Sequence, residues 1–183
     1  MEFIKTDFDD VYVIKPKVFN DERGFFLETY SYEKFQHAGI TDQFIQDNHS
    51  KSVSKGVIRG LHFQAPPYAQ SKLIRVTKGA IYDVIVDLRP SSKTLGRWRG
   101  FELSEENFLM LYIPAGFAHG FCTTRENCEV QYKVDKLYAP GSEGGIRWDD
   151  PDLAIDWPSA APQLSAKDAT LPYFKDFTNP FST

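Results

Sequence analysis

The stretch Tyr82-Asp83-Val84-Ile85-Val86-Asp87-Leu88 decides the fold class. Read at a period of two, Tyr82, Val84, Val86 and Leu88 share one face and Asp83 and Asp87 share the other, the pattern of a half-buried antiparallel strand. Working outward, Lys72, Ile74 and Val76 share a face of the preceding segment. Asn127–Asp135 alternates again, with Cys128, Val130, Tyr132 and Val134 on one side and Glu129, Gln131, Lys133 and Asp135 on the other. Arg97–Leu103 and Phe108–Ile113 fill the interval as two more strands with a turn between them. Towards the N-terminus, Val11–Phe19 reads as a strand that Pro16 interrupts, which suggests an edge or a bulge. Asp21-Glu22-Arg23-Gly24 reads as a turn, Phe25–Tyr30 as a strand, and Tyr32–Ala38, ended by Gly39, as one short helix. Gln43–Ser50 and Gly56–Gln64 look extended, and Ala65-Pro66-Pro67 breaks the chain. Strands at intervals of about 8–12 residues with almost no helix predict an all-β sandwich or barrel. Beyond Tyr138 the chain turns rich in Pro, Asp and Trp and is expected to wrap the outside and close one end.

Bulk properties narrow the function. A chain of 183 residues suits a single domain over 1–183, with one sizeable core. Aromatic residues reach 15 %, which suits strands and flat ligands, and 12 glycines and 11 prolines are scattered as many short turns require. A net charge of −4 argues against non-specific nucleic-acid binding but leaves room for a small anion held by local cations. No apolar run approaches the roughly 20 residues of a membrane span. The first ten residues carry Glu2, Asp7, Asp9 and Asp10 where a signal peptide wants a basic start, so no signal peptide is read and a cytoplasmic location is expected. Cys122 and Cys128 fit no metal spacing and read as two buried free thiols.

Four side chains have contexts that suggest chemistry. Lys72 shares its face with Ile74 and Val76, so it points into the barrel, where it either meets a structural carboxylate or waits for an anion or carbonyl oxygen. Tyr132, between Val130 and Val134, points into the barrel as well, where it is either a satisfied core tyrosine or a residue with a part in the chemistry. In Arg59-Gly60-Leu61-His62-Phe63-Gln64, alternation puts His62 and Gln64 on one face, and Pro114-Ala115-Gly116-Phe117-Ala118-His119-Gly120 is a turn feeding a strand that begins with a histidine. The latter resembles the second motif of the cupin superfamily. The first cupin motif supplies H-x-H and a nearby Glu to a metal; here it reads His62-Phe63-Gln64, followed by Lys72, a poor divalent-metal set. His37 and His49 have no such context and read as surface or structural.

An ordered series makes the resemblance specific: Asp21-x-Arg23-Gly24-Phe25-Phe26-x-Glu28, Gln46-x-Asn48-x-Ser50, Arg59-Gly60-Leu61-His62-x-Gln64, Lys72, Pro114-x-Gly116-x-x-His119-Gly120, Tyr132-Lys133 with Tyr138-x-Pro140, Trp148-x-Asp150-Pro151 with Ile155-x-Trp157-Pro158, and Ser165-x-Lys167-Asp168. Over about residues 5–175 it resembles the dTDP-4-dehydrorhamnose 3,5-epimerase family. The resemblance implies a cupin-type double-stranded β-helix (a jelly-roll barrel) with a few short helices, working without metal or cofactor in dTDP-L-rhamnose biosynthesis. It implies a nucleotide-sugar substrate, a 4-keto-6-deoxyhexose epimerised at carbons 3 and 5. His62 matches the base, Asp168 the carboxylate that orients it, Lys72 the cation facing the enolate oxygen, and Tyr132 the acid on the opposite face. Arg23, Arg59 and Lys167 match diphosphate and nucleotide contacts; Glu28, Gln46, Asn48, His119, Tyr138 and Glu143 match further ligand contacts; Phe26 packs on the base or offers its backbone. A homodimer with N-terminal strands exchanged or packed between subunits is also implied. A single-site epimerase, a 3,4-ketoisomerase of related sugars, a metal-dependent cupin and a non-catalytic sugar-binding cupin are the rival readings.

Overall fold

The computed structural model describes residues 1–181. It builds the alternating segments into β1 (Glu2–Lys5), β2 (Tyr12–Lys15), β3 (Val18–Asp21), β4 (Gly24–Leu27), helix α1 (Tyr32–His37), β5 (Gln46–Ser52), β6 (Ile58–Gln64), β7 (Lys72–Lys78), β8 (Ala80–Asp87), β9 (Trp98–Ser104), β10 (Met110–Ile113), β11 (Phe117–Thr123), β12 (Cys128–Val134) and β13 (Glu143–Gly145). One-turn 3₁₀ helices stand at Pro140–Ser142, just before β13, and at Asp168–Thr170, after it. Every strand pairing within the sheets is antiparallel. A six-stranded sheet runs β1-β2-β10-β7-β12-β5, a five-stranded sheet runs β13-β6-β11-β8-β9, and β3-β4 form a separate hairpin. The fold is all-β and of the cupin type.

Three apolar clusters follow from the alternation. Between the two large sheets, Ile74, Val76, Leu111 and Val130 from one meet Ile81, Ile85, Phe101 and Phe121 from the other. The outer face of the six-stranded sheet is capped by α1, whose one buried residue, Phe35, joins Ile14, Leu73 and Met110. The outer face of the five-stranded sheet, with Leu61, Val84, Val86 and Leu88, is covered by the C-terminal segment through Ile146, Leu153 and Trp157. Trp157 Nε1 donates to the Trp148 carbonyl at 2.8 Å and Trp98 Nε1 to the Leu153 carbonyl at 2.7 Å, so both indoles fasten the wrap.

Two expectations change here. β8 is buried on both faces, not one: the wrap covers Val84 and Val86, and Asp83 and Asp87 lie inside with no exposed surface. Each aspartate has specific donors, Asp87 from Arg89, Ser92 and Thr94, and Asp83 from His119. Buried carboxylates need such partners, and period-two reading cannot see them. The Val11–Phe19 segment is two strands in different sheets, because Pro16 and Lys17 separate β2 from β3. β1, placed beyond it at the sheet edge, falls in residues read as an acidic terminus. Cys122 and Cys128 are free and buried, as expected.

Candidate active site

The site starts from an irregularity in β6. Opposite β11, His119 pairs with His62 but Phe121 pairs with Arg59, so three residues of β6 span two of β11. The extra residue is a bulge, a device that re-aims side chains beside active sites. It is built on glycine. Gly60 sits at φ +133°, and a Cβ there would lie 2.5 Å from the Gly120 Cα. Without the bulge, Arg59 and His62 would point to opposite faces; with it, both line the same cavity.

His62 Nε2 lies 2.6 Å from Asp168 Oδ1, a pair 106 residues apart in sequence. Asp168 opens the second 3₁₀ turn and is 3 % exposed; the Ser165 hydroxyl accepts from its backbone N–H at 3.0 Å, and its Oδ2 accepts from the Gly60 N–H at 3.4 Å. Burial alone would raise its carboxyl, but the hydrogen bonds from His62 and Gly60 hold it below the ordinary carboxylate range. Opposite, β7 supplies Lys72 and β12 supplies Tyr132, both facing the same cavity of about 460 Å³. Burial lowers the Lys72 ammonium to about 8, opposed by the charges of Asp83 and Glu143. Burial raises the Tyr132 phenol, opposed by Arg59 and assisted by Glu143, so it keeps its proton at neutral pH.

A second chamber of about 250 Å³ shares His62, Lys72 and Tyr132 with the first, and adds Gln46, Asn48, Tyr138 and Glu143. Lys167 Nζ meets Glu143 Oε2 at 2.5 Å and the Tyr138 hydroxyl donates to the same oxygen at 3.0 Å. Gln46 Nε2 donates to Asn48 Oδ1 at 2.9 Å. Arg59 is held at the rim by the Ser52 hydroxyl and the Lys51 carbonyl. His119 is buried on the cavity wall.

Three candidate residues are not brought to this cavity by the chain. Arg23, Phe26 and Glu28 belong to or follow the β3–β4 hairpin: Arg23 pairs with Asp21, Glu28 with Lys34 at 2.7 Å, and Phe26 is 69 % exposed. Asp83 and Ser50 were not among the residues singled out by sequence. The alternation had turned Asp83 outward, whereas Ser50 sits inside the quoted Gln46-x-Asn48-x-Ser50 motif and lines the cavity.

Compared with known proteins, residues 5–176 match the family model of dTDP-4-dehydrorhamnose 3,5-epimerase. The chain belongs to this family. It is 52 % identical over 174 residues to the dTDP-4-dehydrorhamnose 3,5-epimerase of Salmonella typhimurium, covering 94 % of each chain. A crystal structure of the Bacillus anthracis dTDP-4-dehydrorhamnose 3,5-epimerase with TDP and PPi bound superposes with a TM-score of 0.92 at 50 % identity, covering 94 % of this chain and 98 % of that one. A Legionella pneumophila dTDP-6-deoxy-D-glucose-3,5-epimerase in complex with dTDP-4-keto-L-rhamnose gives 0.93 at 44 % identity, covering 97 % and 94 %. In this epimerase-family chain, Gln64 is held by backbone: its Nε2 donates to the Tyr68 carbonyl at 2.7 Å and its Oε1 accepts from the Ala139 N–H at 2.8 Å. Among the described residues, no three His, Cys, Asp or Glu side chains are grouped as metal ligands.

Proposed function

We propose that this chain, as a single domain, inverts carbons 3 and 5 of dTDP-4-dehydro-6-deoxy-D-glucose to give dTDP-4-dehydro-L-rhamnose. One observation carries the reading: a His–Asp dyad, a lysine and a protonated tyrosine share one cavity. A ketone at carbon 4 acidifies the C–H bonds on both neighbouring carbons. Because Asp168 holds His62 by Nε2, the neutral ring keeps an Nδ1 lone pair to take the proton, and the carboxylate stabilises the imidazolium that forms. Lys72 supplies positive charge where the enolate oxygen develops, at a position fixed before the reaction begins. Tyr132, held protonated by burial, returns a proton from the other face. Arg59 and Lys167 give the diphosphate its cations, with an arginine fork suited to phosphate oxygens. Gln46, Asn48, His119, Tyr138 and Glu143 surround the remainder of the ligand.

The test is turnover of dTDP-4-dehydro-6-deoxy-D-glucose in D₂O followed by NMR. Deuterium at both carbons with inversion is expected, and His62→Ala should slow exchange by about 10²–10⁴-fold. Exchange at one carbon alone would assign a single-site epimerase, and migration of the ketone a 3,4-ketoisomerase.

A homodimer belongs to the same proposal, in the cytoplasm. The β3–β4 hairpin exposes Phe19, Phe25 and Phe26, an apolar patch that a second copy of the chain would cover. It also gives Arg23, Phe26 and Glu28 a cavity to reach. Sedimentation at micromolar concentration should show a dimer; a monomer would count against the assignment.

A further inference from the structure

The cavity wall holds a second histidine–carboxylate pair, whose carboxylate the mechanism above does not use. His119 on β11 is 8 % exposed and Asp83 on β8 has no exposed surface. His119 Nε2 lies 2.9 Å from Asp83 Oδ2. Asp83 Oδ1 is fully buried and has no hydrogen-bond partner among the described residues. A buried carboxylate oxygen without a donor is rare in folded proteins and asks for a reason. A core that needed only volume would place an apolar residue here, between Ile81 and Ile85 on the same strand face. The charge that could answer it is Lys72. Its ammonium makes no hydrogen bond or ion pair among the described residues and opens on the same cavity as His119.

We propose that Asp83 is a positioning residue of the epimerisation: its Oδ2 fixes His119 in the tautomer whose Nδ1 lone pair faces the cavity, and its unpaired Oδ1 supplies the countercharge that keeps Lys72 an ammonium. The proposal rests on the epimerase reading and deepens it. Burial pushes the His119 imidazole below its ordinary value, although Asp83 opposes this, so the ring is neutral at pH 7 and its Nε2–H donates to the carboxylate. Nδ1 is then an acceptor, suited to a sugar hydroxyl or to the Lys72 ammonium and unsuited to a phosphate oxygen or a ketone. His119 therefore reads the hydroxyls of the substrate, while Lys72 alone is left for the oxygen that becomes an enolate.

The charged and titratable groups that share the cavity with Lys72 are His62 and Arg59 of β6, His119 of β11, Tyr132 of β12, Glu143 of β13, and Lys167 and Asp168 of the C-terminal segment; Asp83 of β8 lies behind His119, near enough for its charge to act on Lys72. Of the three carboxylates, Asp168 is held by His62 and Glu143 by Lys167 and Tyr138. Asp83 has the free oxygen. Burial lowers the Lys72 ammonium to about 8 even with that charge present, so without it the proton is lost nearer neutrality.

The test reads protonation directly, on the full chain without substrate. Long-range ¹H–¹⁵N correlation of histidine-labelled wild type, with His119 assigned by its loss in His119→Gln, should show Nε2 protonated and Nδ1 bare at pH 7. A wild-type His119 protonated on Nδ1 overturns the proposal, and this measurement needs no folded Asp83 variant. Titration of ¹⁵N-labelled Lys72, assigned by its loss in Lys72→Arg, should fall by roughly one pH unit in Asp83→Asn and stay near the wild-type value in His119→Gln. An unmoved midpoint in Asp83→Asn, or an equal fall in His119→Gln, also overturns it. In turnover, Asp83→Asn should lower kcat by about 10–100-fold, change KM by less than about 3-fold, and move the alkaline limb of the kcat/KM profile towards neutrality by the same amount as the lysine titration. A purely structural aspartate would leave that limb in place. If wild type does not epimerise the sugar at all, the epimerase reading fails while the two titrations still decide the role of Asp83.

Discussion

At the residue scale, the site couples groups whose ordinary chemistry burial has altered. Lys72 illustrates the cost. Its ammonium, lowered to about 8, is disfavoured by the folded chain relative to an unfolded lysine near 10.5. Below pH 8 both states hold the proton and the full penalty stands; between about 8 and 10.5 the unfolded chain binds more protons, so stability gains as pH rises through that window. Because the residue keeps part of its surface in the open cavity, the penalty at pH 7 is on the order of 2 kcal/mol. Lys72→Met should therefore raise Tm by about 4–8 °C while lowering kcat at least 10²-fold; calorimetry and turnover check the two halves, and a fall in Tm would show that the lysine is stabilising after all. Wild-type kcat/KM should also decline above about pH 8, as the ammonium of the free enzyme is lost. Tyr132→Phe separates the faces: it should reduce inversion more than deuterium exchange, because His62 can still remove and return a proton on its own side. NMR of the product in D₂O compares the two, and an equal loss would remove Tyr132 from the role of acid. Lys72 and Tyr132 were legible as inward residues because strand alternation is local. Asp168 was not, since nothing near it in sequence signals a partner 106 residues away, and only the resemblance to a family named it.

At the element scale, the strands were legible from alternation and the site's geometry was not, because the site lies where alternation fails. The β6 bulge turns Arg59 to the His62 side, and its packing depends on Gly60 and Gly120 back to back. A Cβ on Gly120 would stand 2.7 Å from the Arg59 carbonyl oxygen. Backbone atoms cannot swing aside as a side-chain tip can, so Gly120→Ala must push β6 and β11 apart. The expected cost is about 2–4 kcal/mol, with kcat/KM falling beyond what the loss of folded protein explains, because both Arg59 and His62 ride on the displaced strand. Urea denaturation beside active-site titration tests this. Unchanged turnover per folded molecule would mean that the strand pair absorbs the methyl elsewhere. β8 fails alternation differently: its two faces are both interior, so aspartates that alternate like solvent-facing residues are in fact the most buried charges of the strand.

At the scale of the whole molecule, the catalytic dyad joins two parts held by different forces. His62 belongs to a sheet strand with neighbours on both sides, β11 and β13. Asp168 belongs to a C-terminal segment that has little regular structure and holds on through apolar side chains, Ile146, Leu153, Trp157 and their neighbours, against the outer sheet face. Its direct ties to the barrel at this point are few: the His62 contact, the Gly60 N–H, the Lys167–Glu143 ion pair, and the bonds between Ile58, Gly56 and Gln163. Segments with few backbone ladder bonds open at lower free energy than central strands. The wrap should therefore open before the barrel does. Amides of the wrap from about residue 150 to 176 should exchange faster than those of β7, β8 and β11, and on heating activity should disappear several degrees before the sheet signal in circular dichroism, because an open wrap takes Asp168 from His62 while leaving the sheets intact. Trp157→Ala, which removes a large side chain, 9 % exposed, by which the wrap packs on the sheet, should widen that gap, at a cost of about 3–5 kcal/mol if the whole molecule unfolds as one unit and less if the wrap opens alone. Coincident loss of activity and sheet signal in both proteins would show that wrap and barrel form one cooperative unit, and that the dyad is as stable as the fold around it.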